Sequence, residues 1–234
     1  MIGPVIDSGA LAIGGILGVV FGRWLPARVK ETLPLIFGVI TISLGATLVG
    51  AAAYVHVVVL ALILGSFLGE LLYLERCLTF IIKKSIQWSH RHGKPADDNF
   101  IINYITLISA FCFGSMGLFG AVNEGITGQP DILLTKAVLD LFTGLIFGAG
   151  MGIMVSFIAV PQFIILAALY YSAAFVMPIM SESMLNDFTS CGGIIFLATG
   201  LRMCGIKIFP IINMLPSIFL VLPLSFGWSL LGWH

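Results

Sequence analysis

The chain has 234 residues, 59% of them hydrophobic and only 9% charged, and its formal net charge is zero. A water-soluble domain carries about a quarter charged residues, so a water-facing surface is excluded and an all-α membrane protein is expected, its helices crossing the hydrocarbon in apolar runs of about 20 residues. The neutral balance offers nothing to nucleic acid. The scattered Cys77, Cys112, Cys191 and Cys204 form neither the close pairs of a zinc site nor a disulfide framework, and are expected as small packing residues.

Eight apolar spans follow in chain order, forming a single polytopic domain over residues 1–234: Ile2–Phe21, Leu33–Gly50, Tyr54–Leu74, Phe100–Val122, Leu133–Ala159, Pro161–Met180, Phe188–Cys204 and Ile208–Leu231. The first lacks a basic leading segment and carries Asp7, so it reads as a retained span and not as a cleaved leader. Only Ala159-Val160-Pro161 separates the fifth span from the sixth, which leaves a seven-span count as the alternative. Lysine and arginine set the orientation. With the loop from Glu75 to Asn99 in the cytoplasm, eight spans place ten of the eleven basic residues inside, with Lys136 the one outside. The outer loops then hold Glu124, Asp131, Glu182 and Asp187, and both chain ends face outward. Within the basic loop, Cys77–Trp88 alternates apolar and basic residues at helical spacing, as a helix lying on anionic headgroups does. His90 and His92 lack an acidic partner and read as solvated, and neither a metal nor a cofactor is called for.

Gly38-Val39-Ile40 followed by Gly45 has the same spacing as Gly193-Ile194-Ile195 followed by Gly200. The match pairs the second span with the seventh, which run in opposite directions. It suggests an inverted repeat of spans one to three against spans six to eight, a frequent transporter architecture.

Ionisable groups inside hydrocarbon are costly, and their positions are informative. Asp140 heads a stripe of Gly144, Gly148 and Gly152 at four-residue spacing, one face of a helix. Asp7 precedes Gly14, Gly18 and Gly22 in the same way. Such stripes are seams where helices pack closely, and if the two seams meet, Asp7 and Asp140 share a polar cavity. Glu70 stands near the inner end of the third span with Gly65, Ser66 and Gly69 beside it, where pairing with Arg76 or a lysine is the plain alternative. His56, at the other end of that span, reads as interfacial. Asn123 and Glu124 close the fourth span. Pro210, Pro216 and Pro223 break the last span, where Asn213 offers an amide next to carbonyls freed by proline.

The ordered set of LGSFLGELL (Leu64–Leu72), FGAVNEGITG (Phe119–Gly128), AVLDLFTGLIFGAGMG (Ala137–Gly152) and GGIIFLATGLRMCGIKIFPIINMLPS (Gly192–Ser217) resembles a family of bacterial inner-membrane proteins typified by YqgA, domain of unknown function 554. The likeness covers nearly the whole chain. It implies a multi-span plasma-membrane protein and supplies no substrate and no catalytic residues. The first span of that family usually carries Asn where this chain has Asp7.

Three functions compete. Transport of a small ion or solute would use Asp140 as the principal coupling group, with Asp7, Glu70, Glu124, Asn123 and Asn213 accessory. An intramembrane enzyme ranks below it: none of the zinc-protease, serine-hydrolase or phosphate-loop motifs is present, and only a paired-aspartate hydrolase on Asp7 and Asp140 fits the spacing. A non-transporting scaffold is the third. The partners expected are membrane lipids, a small ion or solute and, through glycine seams, a second copy of the chain as a homodimer.

Overall fold

A computed structural model describes residues 1–24, 26–77, 114–176 and 180–230, together with positions 80, 84, 104, 107, 108, 111 and 112. The histidines and lysines of the long basic loop, apart from Lys84, lie outside the described residues. All regular structure among the described residues is helical: α1 Gly3–Phe21, α2 Ala27–Val49, α3 Val55–Leu71, α4 Ser115–Thr127, α5 Asp131–Met151, α6 Met154–Phe157, α7 Ala159–Val176, α8 Glu182–Met203, α9 Ile211–Met214 and α10 Pro216–Leu230, with a 3₁₀ turn at Gly22–Trp24. Six described stretches are long and apolar enough to cross a membrane, and the shorter Val55–Leu71 is equally apolar.

The first helix is built inside out relative to one in a soluble protein. On α1 the buried positions are Gly3, Pro4, Asp7, Ser8, Leu11, Gly14, Gly15 and Gly18, whereas Val5, Ile6, Ile13, Ile16, Val19 and Val20 are exposed. Small and polar residues turn inward and bulky apolar residues turn outward, which is the distribution a lipid solvent selects.

The chain divides into two compact units, residues Met1–Lys30 with Arg76–Ser172 and residues Glu31–Glu75 with Ala173–His234. In the first, α1 and α5 run side by side in the same direction. A Cβ on Gly14 would strike the Leu141 carbonyl, one on Gly18 the Leu145 carbonyl, and one on Gly148 the backbone of Gly15. The two predicted glycine stripes therefore meet. Gly152 is the exception. No atom lies within 4 Å of a Cβ built on it, and its φ of +76° ends α5 in a backbone conformation that favours glycine. The fifth and sixth spans thus separate at Gly152-Ile153, eight residues before the predicted boundary. Pro161 falls in the first turn of α7, where its missing N–H leaves no interior helix bond unmade. The fourth span is interrupted as well: Gly114 is extended (φ −62°, ψ 139°) and α4 starts afresh after it.

In the second unit α2 crosses α8 antiparallel, with Gly38 against the Gly200 carbonyl and Gly45 against the Gly193 carbonyl. A seven-span count would make these two helices parallel. Likewise α3 packs antiparallel on α9 and α10, Gly65 against Ser217 and Gly69 against Asn213. Arg202, at the end of α8, pairs with Glu75 after α3 at 3.0 Å, so the basic turn and the start of the basic loop share one end of this unit.

The two glycine motifs that suggested a repeat are therefore the two halves of one crossing. Residue numbers raised by 155, the interval from Gly38 to Gly193, carry the bounds of α1 to 158–176, of α2 to 182–204 and of α3 to 210–226. These fall on α7, on α8 and on α9 with α10. The same interval carries Asp7 to Gln162.

Candidate functional site

The polar centre of the first unit is built from three helices. Asp7 comes from the second turn of α1, Lys136 and Asp140 from one face of α5 four residues apart, and Gln162 from the first turn of α7. Asp140 is the tenth residue of a 21-residue helix, about 14 Å from its start at 1.5 Å per residue. It therefore stands near mid-helix.

Lys136 Nζ donates to Asp7 Oδ2 at 2.8 Å and also to Asp140 Oδ2. Gln162 Nε2 donates to the same two oxygens, each at 2.8 Å. Both aspartates thus converge on one ammonium and one amide. Asp7 and Gln162 are fully buried, and Lys136 and Asp140 nearly so. The glycines explain how the chain seats a lysine here. Without side chains at Gly14, Gly18, Gly144 and Gly148, α1 and α5 approach to backbone contact, and Gly117 of α4 leaves room for the apolar stem of Lys136. With all groups ionised the cluster carries two negative charges and one positive. Two further atoms stand out: Asp7 Oδ1 and Gln162 Oε1 are buried and have no hydrogen-bond partner.

The remaining candidates are placed elsewhere. Glu124 is buried and accepts from the backbone N–H of Ile2 (2.8 Å) and of Gly3 (3.1 Å), satisfying amides that the start of α1 leaves unpaired. Asn123 reaches Thr127 one turn on. Asn213 accepts from the backbone N–H of Glu75 at 2.8 Å, fastening the broken last span to the end of α3. Glu70 is exposed on α3, in the second unit, on a helix side it shares with Phe67 and Leu71. Of the six predicted residues the structure brings Asp7 and Asp140 together.

Lys136, Gln162 and Asp187 were not among the predicted site residues. Lys136 was counted with the outer loops because charge asymmetry treats every lysine as flanking. Its spacing of four from Asp140, the helical ion-pair interval, was the available signal. Asp187, also assigned to an outer loop, is fully buried. Its carboxylate accepts from the N–H groups of Ala53 (2.9 Å) and Tyr54 (2.7 Å) and from the Ser225 hydroxyl (2.7 Å), at the start of α3. Glu124 and Asp187 thus play the same part in the two units, each closing the open amide end of a helix.

Comparison with known proteins places the chain in a family. A family model described as Protein of unknown function (DUF554) matches residues 2–226. The chain belongs to that family. It is similar to Uncharacterized protein YqgA of Escherichia coli (strain K12), 43% identical over 230 residues and 98% of each chain. It is also similar to Uncharacterized membrane protein YdfK of Bacillus subtilis (strain 168), 24% identical over 224 residues, 94% of this chain and 93% of the relative. No solved structure matches the chain. A member of DUF554 with these apolar helices is a helical membrane protein, and the cluster on α1, α5 and α7 is its candidate functional site.

Proposed function

We propose that this protein is a transporter of a small ion or solute in the bacterial plasma membrane, coupled to a proton or cation through Asp7, Lys136, Asp140 and Gln162, with both chain ends outside. The observation that carries the reading is the burial of two carboxylates and one ammonium together among apolar helices, with Asp140 near the middle of α5. A bundle that needed only stability would do as well or better with apolar residues there, since a buried ion pair recovers little beyond its desolvation cost. Charged groups buried within membrane-spanning segments characteristically mark ion pathways and proton relays.

Two architectural features support the same reading. Inverted repeats with binding groups at the repeat interface, and helices broken within the membrane, are recurrent in secondary transporters. Here α4 restarts after Gly114 and the last span breaks at Leu215 between α9 and α10, while Asp7 and Gln162, equivalent positions of the two repeats, are hydrogen-bonded to one another. Transport is favoured over paired-aspartate hydrolysis because Lys136 Nζ and Gln162 Nε2 occupy the place between the carboxylates that an attacking water would need.

The test is flux in proteoliposomes loaded with a panel of monovalent and divalent cations and small solutes. Wild type is expected to move at least one of them, and Asp140→Asn of equal fold and orientation is expected to abolish the movement. Equal flux through wild type and variant would remove Asp140 from the mechanism.

A further inference from the structure

Gln162 and Asp7 make one hydrogen bond, and an amide beside a carboxylic acid can make two. A primary amide and a carboxylic acid side by side form a ring: the amide N–H donates to one carboxyl oxygen, and the acid O–H donates back to the amide oxygen. The first of these is present, Gln162 Nε2 to Asp7 Oδ2 at 2.8 Å. The two atoms left over are Asp7 Oδ1 and Gln162 Oε1. Both are buried and neither has a partner. Two acceptors cannot bond to each other, and a buried acceptor without a donor is costly. One hydrogen, carried by the acid and donated to the amide oxygen, would satisfy both.

The charge count leads independently to the same place. Lys136 balances one of its two aspartates, leaving the buried cluster one negative charge in excess, which a dry interior tolerates poorly. One added proton brings the cluster to zero and leaves Lys136 and Asp140 as a neutral ion pair. The groups facing Asp7 from the neighbouring helices are Lys136 and Asp140 on α5 and Gln162 on α7. The Cys112 thiol of the fourth span lies in the electrostatic neighbourhood of Lys136 and Asp140. The Glu124 carboxylate at the end of α4 is turned to the start of α1. Among these, Lys136 is the one cation.

We infer that the cluster is a single-proton site, with the proton on Asp7 Oδ1 donated to Gln162 Oε1. Binding converts the Asp7 carboxylate and one proton from water into the acid, and release returns the proton to water. Gln162 is a positioning residue, holding Asp7 through both halves of the ring. The inference rests on the transport reading only in naming its coupling ion.

Proton occupancy can be read without transport, from the carbonyl stretch of protonated carboxyl groups in infrared spectra of the full chain in lipid bilayers near neutral pH. Wild type is expected to show a band that shifts on deuterium exchange and disappears in Asp7→Asn. Asp140→Asn is expected to lose it too, because Asp7 then ionises against Lys136. Lys136→Met is expected to double it, since both aspartates must then be neutral. If Asp7→Asn does not fold, Gln162→Leu serves instead, and its band is expected at higher frequency because the acid has lost its acceptor. Absence of the band in wild type, or its persistence in Asp7→Asn, would overturn the inference. So would a band that sodium removes, since a metal cation would then hold the orphan oxygens. A protein that shows the band and moves nothing across a membrane refutes transport and leaves the proton in place.

Discussion

Replacing Lys136 by methionine keeps an apolar stem of similar length against Gly117 and removes the ammonium that two buried carboxylates share. The cost is the difference between Asp140 paired and Asp140 alone. A lone buried carboxylate must either stay charged in a dry site or take up a proton, and protonating an ordinary aspartate at about pH 7 costs about 4 kcal/mol, roughly three units at 1.4 kcal/mol each. Removal of one partner from a buried pair costs about 3–5 kcal/mol by mutational precedent, so the two routes agree. The variant is expected to lose about that much stability, a shift of about two to three and a half powers of ten in the unfolding equilibrium. Reversible unfolding in mixed micelles reads this directly. The decisive comparison adds Asp140→Asn to Lys136→Met. With Asp7 carrying its proton, the double variant has no charge to strand and is expected to recover most of the loss, which gives a large favourable coupling. Additive losses, or a single-variant loss below about 1 kcal/mol, would refute the view that Lys136 and Asp140 form one charge unit.

Three further outcomes follow from the packing and the hydrogen bonds. Gly148→Leu drives a side chain into the Gly15 backbone and is expected to cost about 3 kcal/mol or more in the same unfolding assay, whereas Gly152→Ala meets no neighbouring atom and is expected to cost about 1–3 kcal/mol through backbone strain alone, because φ +76° with ψ −161° is a region that essentially only glycine adopts. Asp187→Ala strips the acceptor from Ala53, Tyr54 and Ser225 and is expected to cost about 3 kcal/mol, seen also as faster hydrogen exchange at the start of α3.

Much of this architecture is legible in the sequence because lipid inverts the usual burial pattern. A carboxylate or a glycine stripe in an apolar run has few places to go but inward, so Asp7 with Gly14 and Gly18, and Asp140 with Gly144 and Gly148, are legible as two seams that share a polar cavity if they meet. The repeat was visible for a related reason: Gly38, Gly45, Gly193 and Gly200 are small where two backbones touch. What failed to show was anything whose role depends on a partner far along the chain. Lys136 carries the same charge as a flanking lysine, and only the helix crossing that brings Asp7 to it makes it a core residue. Gln162 is an unremarked amide until two carboxylates arrive. Glu124 and Asp187 look like loop acids because the helix starts they close belong to other segments. Gly152 fits the stripe by spacing, yet serves as the turn that divides the fifth span from the sixth. Glu70 has the composition of a buried acid in a glycine-rich context but lies on an exposed side of α3, since Gly65 and Gly69 face Ser217 and Asn213 on the opposite side.

The central claim is that the buried cluster of α1, α5 and α7 carries charge across a membrane. It is tested most directly by proton movement into proteoliposomes under an imposed pH gradient, followed with a lumenal pH indicator. Wild type is predicted to dissipate the gradient, alone or together with a co-transported ion or solute, and Asp140→Asn at matched reconstitution is predicted to behave as empty vesicles. A wild-type protein no faster than empty vesicles with every ion and solute offered, or an Asp140→Asn variant as fast as wild type, would contradict it.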